Sequence, residues 1–577
     1  MLSQKEIHDA IRQDLSDRST WEERQRIWYQ MRHDGIPRRS KPFPGAADLH
    51  YPLADSIIGK FVPFYFAQIY ASDLLASFIA RTPDAEPLAR HAAVWFDHLL
   101  NNRSNWFEEI LATIDTKLMA GGSPLKICLD RKRSRLRFDA IEPVHFVVPK
   151  TTMGLETADR WCHIIQLTED MYRSNTNYAQ DAELIKRITG KGTEDTRGDE
   201  KYRREGLTAG AHEKQIVLWE TYQRVGDEIV VKTLSPLAPE EEIRQAFKLE
   251  PEYGETGGFV LFQVEHKDKG YYASRGITER VAAQEAYLCR LWNEKADSMA
   301  FLNRPLFTSE DPLQNAAEIR FRPGEYVPGN LKSVPMGSPP IDFDVEMNNV
   351  RTQAEYSIQM PDYGIGNAQQ SKDKRTATEV QAIGSLMGVS IDLKARIFRR
   401  ALAKTYRIAW DLARKYLGDD LLVFATGKAQ QIPPEALQAS YQIEPDGSPD
   451  GWNKEQRVQR AYQRLQVFGQ SPFVNLAELT RDALSEDSPT LAERVFKDPQ
   501  QAEQDALIAQ ARGIAEVGLN LLSAGMATAA MGAQFQSAIQ QRVQALAQLN
   551  PQAAQQLMQE LQQFAAQAQP QLAVAPS

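Results

Sequence analysis

The sequence predicts an α+β protein that is predominantly helical, and three observations carry this prediction. Helical patterns of polar and apolar residues occupy both ends of the chain. Between residues 125 and 234 they give way to short β-branched and aromatic runs bounded by turn residues, which is typical of strands. The segment 376–417 then runs 42 residues without proline, with apolar side chains mostly three and four residues apart.

Composition and charge exclude several classes of protein. The chain has 577 residues and a formal net charge of −9, which argues against a protein that holds DNA on a broad basic surface. Its three cysteines lie far apart and do not suggest a disulfide framework. The start of the chain is charged throughout and does not resemble a signal peptide. Residues 57–80 and 517–541 are too interrupted or too weakly apolar to predict membrane spans, so no membrane partner is expected.

The N-terminal half divides into a helical part and a strand-rich part. Helices are predicted at 4–31, 57–80 and 88–118, and the proline-rich segment Lys41–Leu53 separates the first two. After Gly121-Gly122 six strands are expected, and the charged stretch 186–205 reads as a surface loop. The six strands are 125–130, 135–141, 144–149, 161–167, 216–224 and 229–234.

The second half begins with an alternation of helices and non-helical inserts. Two predicted helices flank a segment with seven prolines, in which one strand is expected, and a polar loop precedes the long helix. In order, these are helix 277–302, insert 304–340 with strand 319–326, helix 343–360, loop 361–374 and helix 376–417. Short strands at 421–425 and 441–444, helices from 453 to about 496 and a tail rich in Ala and Gln complete the chain.

The sequence contains no recognisable arrangement of catalytic residues. The sequence has no phosphate-binding loop of the G-x-x-x-x-G-K-[ST] type and no G-x-S-x-G nucleophile elbow. Asp342 and Asp344 would suit a divalent cation, but capping of the following helix explains them better. We therefore predict no enzymatic activity, no metal site and no cofactor.

Four motifs occur in the order seen in one family. The segment Pro42-Phe43-Pro44-Gly45-Ala46-Ala47-Asp48, followed by Pro52-Leu53, resembles a signature near the start of tailed-bacteriophage portal proteins, the head–tail connectors. The other three resemble the glycine-then-strand element, the stretch ending in Arg-Trp and the helix start of those proteins. They are Gly121–Ile127, Ile141–Pro149 with Arg160-Trp161, and Arg375–Val380.

The resemblance implies a division of the chain into the parts of a portal subunit. These are an N-terminal wing at 1–275, a first stem helix at 276–303, a clip at 304–340, a second stem helix at 341–360, a tunnel loop at 361–375, a long helix with wing return at 376–440, and a C-terminal helical crown region with its Ala/Gln-rich tail at 441–577.

The resemblance also implies a function in the virion. Portal subunits form a ring, usually of twelve copies, at one capsid vertex. The ring is the channel for packaging and ejection of double-stranded DNA, and it docks the terminase large subunit and later the head–tail adaptor or tail proteins. The implied partners also include the major capsid protein, and the implied location is the portal vertex after assembly in the host cytoplasm.

Three groups of site residues follow from this resemblance and from helical spacing. Basic residues in or beside the tunnel loop are candidates to touch DNA phosphates: Lys372, Lys374 and Arg375. One face of the first stem helix is a candidate to face the channel or to pair across subunits: Glu279, Arg290, Glu294 and Asp297. The predicted clip strand is a candidate for contacts between subunits or with the adaptor: Arg320, Arg322, Glu325 and Tyr326.

Two alternatives remain open at the level of sequence. The charge-free, alanine-rich stretch 517–541 is also compatible with a DNA-ejection or membrane-penetrating virion protein, which would bind liposomes through that stretch. An enzyme with a site built around Asp342 and Asp344 would show an activity that depends on a divalent ion. A portal would instead form a closed ring with a hole wide enough for duplex DNA.

Overall fold

A computed structural model supplies the structure of the chain, and it describes most residues before 447 and several helices after it. The described ranges are 3–33, 38, 41–70, 74–190, 215–265, 270–303, 307–309, 331–333, 342–358, 377–418, 422–425, 428–446, 454–468, 479–480, 483–484, 507–515, 517, 529–549, 553–559 and 561.

The described residues form a mixed α+β protein that is mostly helical, as predicted. The helices are α1 Gln4–Asp17, α2 Ser19–His33, α3 Leu53–Ile69, α4 Glu86–Arg103, α5 Trp106–Ala120, α6 Glu169–Ser174, α7 Ala182–Ile188, α8 Ile277–Asn303, α9 Phe343–Ser357, α10 Ala377–Tyr416, α11 Glu435–Gln438, α12 Lys454–Phe468 and α13 Ala529–Leu549. Residues 507–515 and 553–559 are helical as well.

The strands pair antiparallel in several small sheets and one larger sheet. They are β1 Ala76–Ala80, β2 Gly122–Asp130, β3 Arg135–Ala140, β4 Phe146–Val147, β5 Arg160–Thr168, β6 Thr189–Gly190, β7 Gln215–Val225, β8 Glu228–Leu234, β9 Arg244–Lys248, β10 Phe259–Gln263, β11 Phe307–Ser309, β12 Leu331–Ser333, β13 Leu422–Ala425, β14 Lys428–Gln431 and β15 Tyr441–Pro445. The larger sheet has the order β4-β5-β7-β8-β9, with β6 also on β7, and a three-stranded sheet has the order β10-β2-β3.

The chain divides into two compact units, Met1–Trp452 and Asn453–Ser577. The main core of the first unit lies where α3, α4, α5, α8 and α10 pack around the three-stranded sheet. Aromatic rings fill it, with Trp106 against Tyr406 at 5.6 Å and Phe96 against Trp410 at 6.0 Å between ring centroids. Burial of each such side chain contributes roughly 1.5–3 kcal/mol to stability. The second unit has its own cluster, which includes Ala511, Leu546 and Leu557.

Helix α1 covers one face of the larger sheet. Its apolar side chains Ile7 and Ile11 are buried against that sheet next to Trp219. At the end of the helix, Asp14 accepts two hydrogen bonds from Arg160 of β5, at 2.8 and 3.0 Å. The apolar face and this paired contact fix the helix on the sheet.

All six predicted strands between 125 and 234 are present, but three helix predictions differ from the structure. The predicted helix 4–31 is two helices, Gln4–Asp17 and Ser19–His33, which meet at Arg18. Residues 76–80 form strand β1, paired with β15, rather than the end of a helix. The predicted helix 88–118 is two helices that meet at Asn105. The side chain of Asn105 accepts a hydrogen bond from the Phe138 backbone amide and donates one to its carbonyl oxygen, at 2.9 and 2.7 Å. That pairing holds Asn105 against strand β3 and out of a continuous helix.

The central alternation of helices and insert is also present. The bounds of helices α8, α9 and α10 lie within three residues of those predicted, 277–302, 343–360 and 376–417. The Asp342 side chain accepts hydrogen bonds from the backbone amides of Asp344 and Val345, at 3.1 and 3.3 Å. This confirms the capping interpretation of Asp342.

Candidate functional site

The two helices that flank the proline-rich insert lie side by side and run antiparallel. Lys295 near the end of α8 pairs with Asp344 at the start of α9, at 2.5 Å between Nζ and Oδ1. Earlier in α8, the Tyr287 hydroxyl lies 3.3 Å from the Glu346 carboxylate, further along α9. Residue numbers fall on one helix as they rise on the other, so the pair is a helical hairpin whose connection is the insert.

An extended segment, residues 41–54, lies along α8, and we call it the strap. It contains the proline-rich motif and has no helix or strand of its own before residue 53. Its backbone amides therefore need partners from elsewhere. Side chains of α8 at a regular spacing of four residues supply them, because residues four apart lie on one helix face. These side chains are Glu285, Cys289, Asn293 and Asp297.

The first half of the strap is held by Asp297 and Asn293. The Asp297 carboxylate accepts hydrogen bonds from the Ala47 amide at 2.8 Å and from the Arg38 guanidinium at 2.6 Å. The Asn293 side chain accepts from the Leu49 amide at 2.7 Å and donates to the Leu49 carbonyl oxygen at 3.0 Å. Asn293 thus binds a strap residue as a neighbouring strand would.

The second half of the strap is held by Cys289 and Glu285. The Tyr51 amide donates to the Cys289 sulfur at 3.3 Å, and the Ala54 amide donates to Glu285 at 2.7 Å. Ala54 lies in the first turn of α3, where backbone amides lack partners within the helix. Glu285 therefore caps α3 and also ends the strap.

The electrostatics of the strap contacts differ at its two ends. Burial raises the pKa of Glu285 to about 7, against the opposing effect of the Ala54 amide. Burial also acts against ionisation of Asp297, but the Ala47 amide and Arg38 outweigh it, and the pKa of Asp297 is lowered. Burial lowers the pKa of His50, whose Nε2 lies 3.5 Å from the Glu285 carboxylate. One end of the strap is thus held by an ion pair and the other by a carboxyl group that readily takes up a proton.

The four predicted channel-facing residues have different surroundings. Glu279 lies 3.7 Å from Arg24 of α2. Arg290 and Glu294 pair with each other at 2.8 Å, with the Arg290 side chain 71% exposed. Asp297 is 8% exposed and binds the strap. The structure therefore gives Asp297 an intramolecular partner, and a channel-facing position for the other three stays a prediction.

The remaining predicted site residues lie outside the described part of the chain. These are the tunnel-loop residues Lys372, Lys374 and Arg375 and the clip residues Arg320, Arg322, Glu325 and Tyr326. Of the insert, the structure describes 307–309 and 331–333, which pair as β11 and β12.

The sequence named Asp297 only as a candidate to face the channel or to pair across subunits, and it did not single out Glu285, Cys289 and Asn293. The available signal was their spacing, since three polar side chains and a cysteine recur at every fourth residue along one face of the helix. Nothing in the local sequence indicates that their partner lies some 240 residues earlier.

Nowhere in the described ranges do three His, Cys, Asp or Glu side chains come together in a way that would hold a metal ion. None of the helices in the described parts of the chain combines the length and apolarity that a membrane span requires. The contacts that surround the hairpin hold its geometry.

Comparison with known proteins gives distant structural likenesses only. No family model and no curated protein matches the sequence. Among solved structures, the chain is similar to a chain of the virion of a native gene transfer agent particle, at 11% identity and a TM-score of 0.35, over 79% of this chain and 91% of that one. It is also similar to a chain from the neck of an empty particle of this kind, at 14% identity and a TM-score of 0.35, over 74% and 90%. A chain from the neck of a native particle is similar at 12% identity and a TM-score of 0.33, over 79% of this chain and 91% of that one. At these values the likeness carries no argument about function.

Proposed function

We propose that this protein is a structural subunit of a phage-like particle, and specifically a portal protein that forms a ring at the capsid vertex. The observation that carries the proposal is the helical hairpin of α8 and α9, which is connected by the insert and whose first helix is bound by the strap between residues 285 and 297. The strap contains the motif that resembles the portal signature. The segment that resembles the portal signature therefore contacts the first helix of the hairpin, through the hydrogen bond from Ala47 to Asp297.

The order of elements after the hairpin supports the same function. Helix α10 spans 40 residues, or about 60 Å if straight, and comes after the segment assigned to the tunnel loop. Its second half is packed in the main core, where Phe398, Leu402 and Tyr406 are buried. A long helix anchored in this way joins the proposed tunnel loop to the folded body of the subunit.

The proposed ring is a conduit for double-stranded DNA. A conduit must let DNA slide, and each cation bound to a phosphate adds salt-dependent affinity that opposes sliding. The net charge of −9 per subunit fits such a conduit. The proposed partners are the terminase large subunit, head–tail adaptor or tail proteins and the major capsid protein, with the insert 304–340 as the docking segment.

The test is the assembly state of the purified full-length chain. Native mass spectrometry is expected to give a closed ring of about twelve subunits. Negative-stain images down the symmetry axis are expected to show a central hole wide enough for duplex DNA.

Two results would contradict this function. One is a ring without a through-channel, and the other is a stable monomer or dimer that persists at high concentration and in the presence of capsid protein. The variant Asn293→Ala, which removes the side chain that binds Leu49 through two hydrogen bonds, should lower the yield of rings. Its control is Arg290→Ala at an exposed position of the same helix, which should leave strap binding intact.

A further inference from the structure

The second half of helix α10 presents a surface of unusual composition. Between residues 394 and 416, every side chain classed as exposed is an arginine or a lysine. We call this surface the basic face, and it consists of Arg396, Arg400, Lys404, Arg407, Arg414 and Lys415. In a chain with a net charge of −9, so many like charges on one helix need a physical reason.

Helix stability does not provide that reason. Arg396, Arg400 and Lys404 follow one another at four-residue spacing, and like charges at this spacing destabilise a helix. Cations in the last turn interact favourably with the helix dipole, but this accounts only for Arg414 and Lys415. The remaining cations lie nine or more residues before the end of the helix.

Nearby carboxylates neutralise only part of the charge. Lys404 pairs with Glu156, Arg414 with Asp411 at 3.0 Å and Lys415 with Glu252 at 2.5 Å. Leaving Arg396 aside, these contacts set three carboxylates against the five cations Arg400, Lys404, Arg407, Arg414 and Lys415, so the face keeps a positive excess.

A second basic element adjoins the C-terminal end of the basic face. The turn between β2 and β3 contains Arg131, Lys132 and Arg133, all exposed. Arg131 pairs with Glu250 and lies 5.2 Å from the ring centroid of Tyr416, and Lys415 lies 5.2 Å from the same ring. The turn therefore extends the basic face by three cations, of which Arg131 is paired with Glu250.

We infer that the basic face binds the phosphate backbone of double-stranded DNA, as a contact separate from passage through a channel. From Arg396 to Arg414 the face spans about 27 Å, a length over which one strand of duplex DNA carries about eight phosphates. One guanidinium group can donate two parallel hydrogen bonds to the oxygens of one phosphate. Four of the six cations are arginines. Contacts to the phosphate backbone carry no sequence information, so binding through this face is expected to be independent of DNA sequence. This inference rests on the proposed function, because that function is what brings the protein together with DNA in the particle.

The test uses relaxed, covalently closed circular DNA, because a closed circle cannot thread a closed protein ring. Binding of the full-length protein is measured over a series of salt concentrations. The test variant is Arg400→Gln/Lys404→Gln/Arg407→Gln. The matched control is Lys5→Gln/Arg187→Gln/Lys248→Gln, which removes the same charge from side chains that are 70%, 57% and 68% exposed.

We expect the wild type and the control to bind the circle alike. The test variant should bind at least tenfold more weakly at 0.1 M salt, with a log–log salt slope smaller by ~2.7, since each lost phosphate contact removes ~0.9. The variant Arg400→Lys/Arg407→Lys keeps the charge and should bind within about threefold of the wild type.

Three results would overturn the inference. They are equal binding of the circle by the test variant and the wild type, a loss of binding in the lysine variant as large as in the glutamine variant, and tighter binding of polyglutamate than of DNA by the wild type. The last would identify an acidic protein segment as the partner.

Native mass spectrometry of the same samples separates the two proposals. A ring that does not bind the circle contradicts only this inference, and binding without a ring contradicts only the portal function.

Discussion

At the scale of single residues, Glu285 is the strap-binding side chain whose ionisation burial opposes most clearly. Its carboxyl group is 1% exposed, lies 3.5 Å from His50 and accepts one backbone hydrogen bond, from Ala54. One neutral hydrogen bond does not replace the hydration of a full negative charge. The raised pKa of Glu285 is the direct consequence.

This cost predicts a dependence of stability on pH. Folding raises the pKa of Glu285 from its ordinary value to about 7, so the folded protein holds this proton more tightly than the unfolded chain. The resulting stabilisation is fully present below the unfolded pKa and is lost as the pH rises through about 7. The Glu285→Gln variant lacks this dependence. Relative to the variant, the wild type should lose on the order of 3 kcal/mol between pH 4.5 and pH 8.

The measurement is chemical denaturation of both proteins at pH 4.5 and pH 8. Glu294→Gln, on the same helix but in an exposed ion pair with Arg290, is the matched control and should show no such difference. A wild-type stability that rises relative to Glu285→Gln as the pH increases would show that the carboxyl is ionised at little cost.

At the scale of elements, the beginning of α8 is locked to the end of α5. The Ser274 hydroxyl donates to the Gly121 carbonyl oxygen, and the Thr278 hydroxyl donates to the Met119 carbonyl oxygen, each at 2.6 Å. Between them, Gly276 lies so close that an added Cβ would be 1.8 Å from the Met119 carbonyl oxygen. The contact is backbone against backbone, which sets the direction in which α8 leaves the core.

Gly276→Ala is therefore expected to be strongly destabilising. The methyl group has no flexible neighbour to displace, so the α5–α8 junction must open, at a cost of at least about 2–3 kcal/mol. Gly59→Ala, inside α3 with no atom within 4 Å of the added Cβ, is the matched control and should gain about 0.5–1 kcal/mol. Thermal unfolding of the two variants compares them directly. Similar melting temperatures for both would show that the junction is not tightly packed.

At the scale of the whole molecule, the hydrophobic clusters follow the division into two units. The four clusters that contain described residues before 452 draw no member from beyond it, and the fifth lies entirely after it. Each unit thus has its own apolar core, which is the physical basis of an independently folding domain.

Residues 1–452 expressed alone should consequently fold. We expect the near-UV circular dichroism from the aromatic core to match that of the full chain, with the melting temperature within a few degrees. The control is a chain that ends at residue 440, which lacks strand β15 and so leaves β1 without its partner. If the two truncated chains were equally unstable, the core of the first unit would depend on the second.

The helices α8, α9 and α10 and the six strands from 125 to 234 follow from sequence alone, because their apolar spacing and turn residues are local properties. Tertiary structure decided the remainder, through contacts between distant residues. Residues 76–80 are a strand only because 441–445 lies beside them, and the strap has a defined path only because α8 supplies acceptors from 285 to 297. Local propensity cannot encode a partner hundreds of residues away, whereas every buried backbone amide must find one.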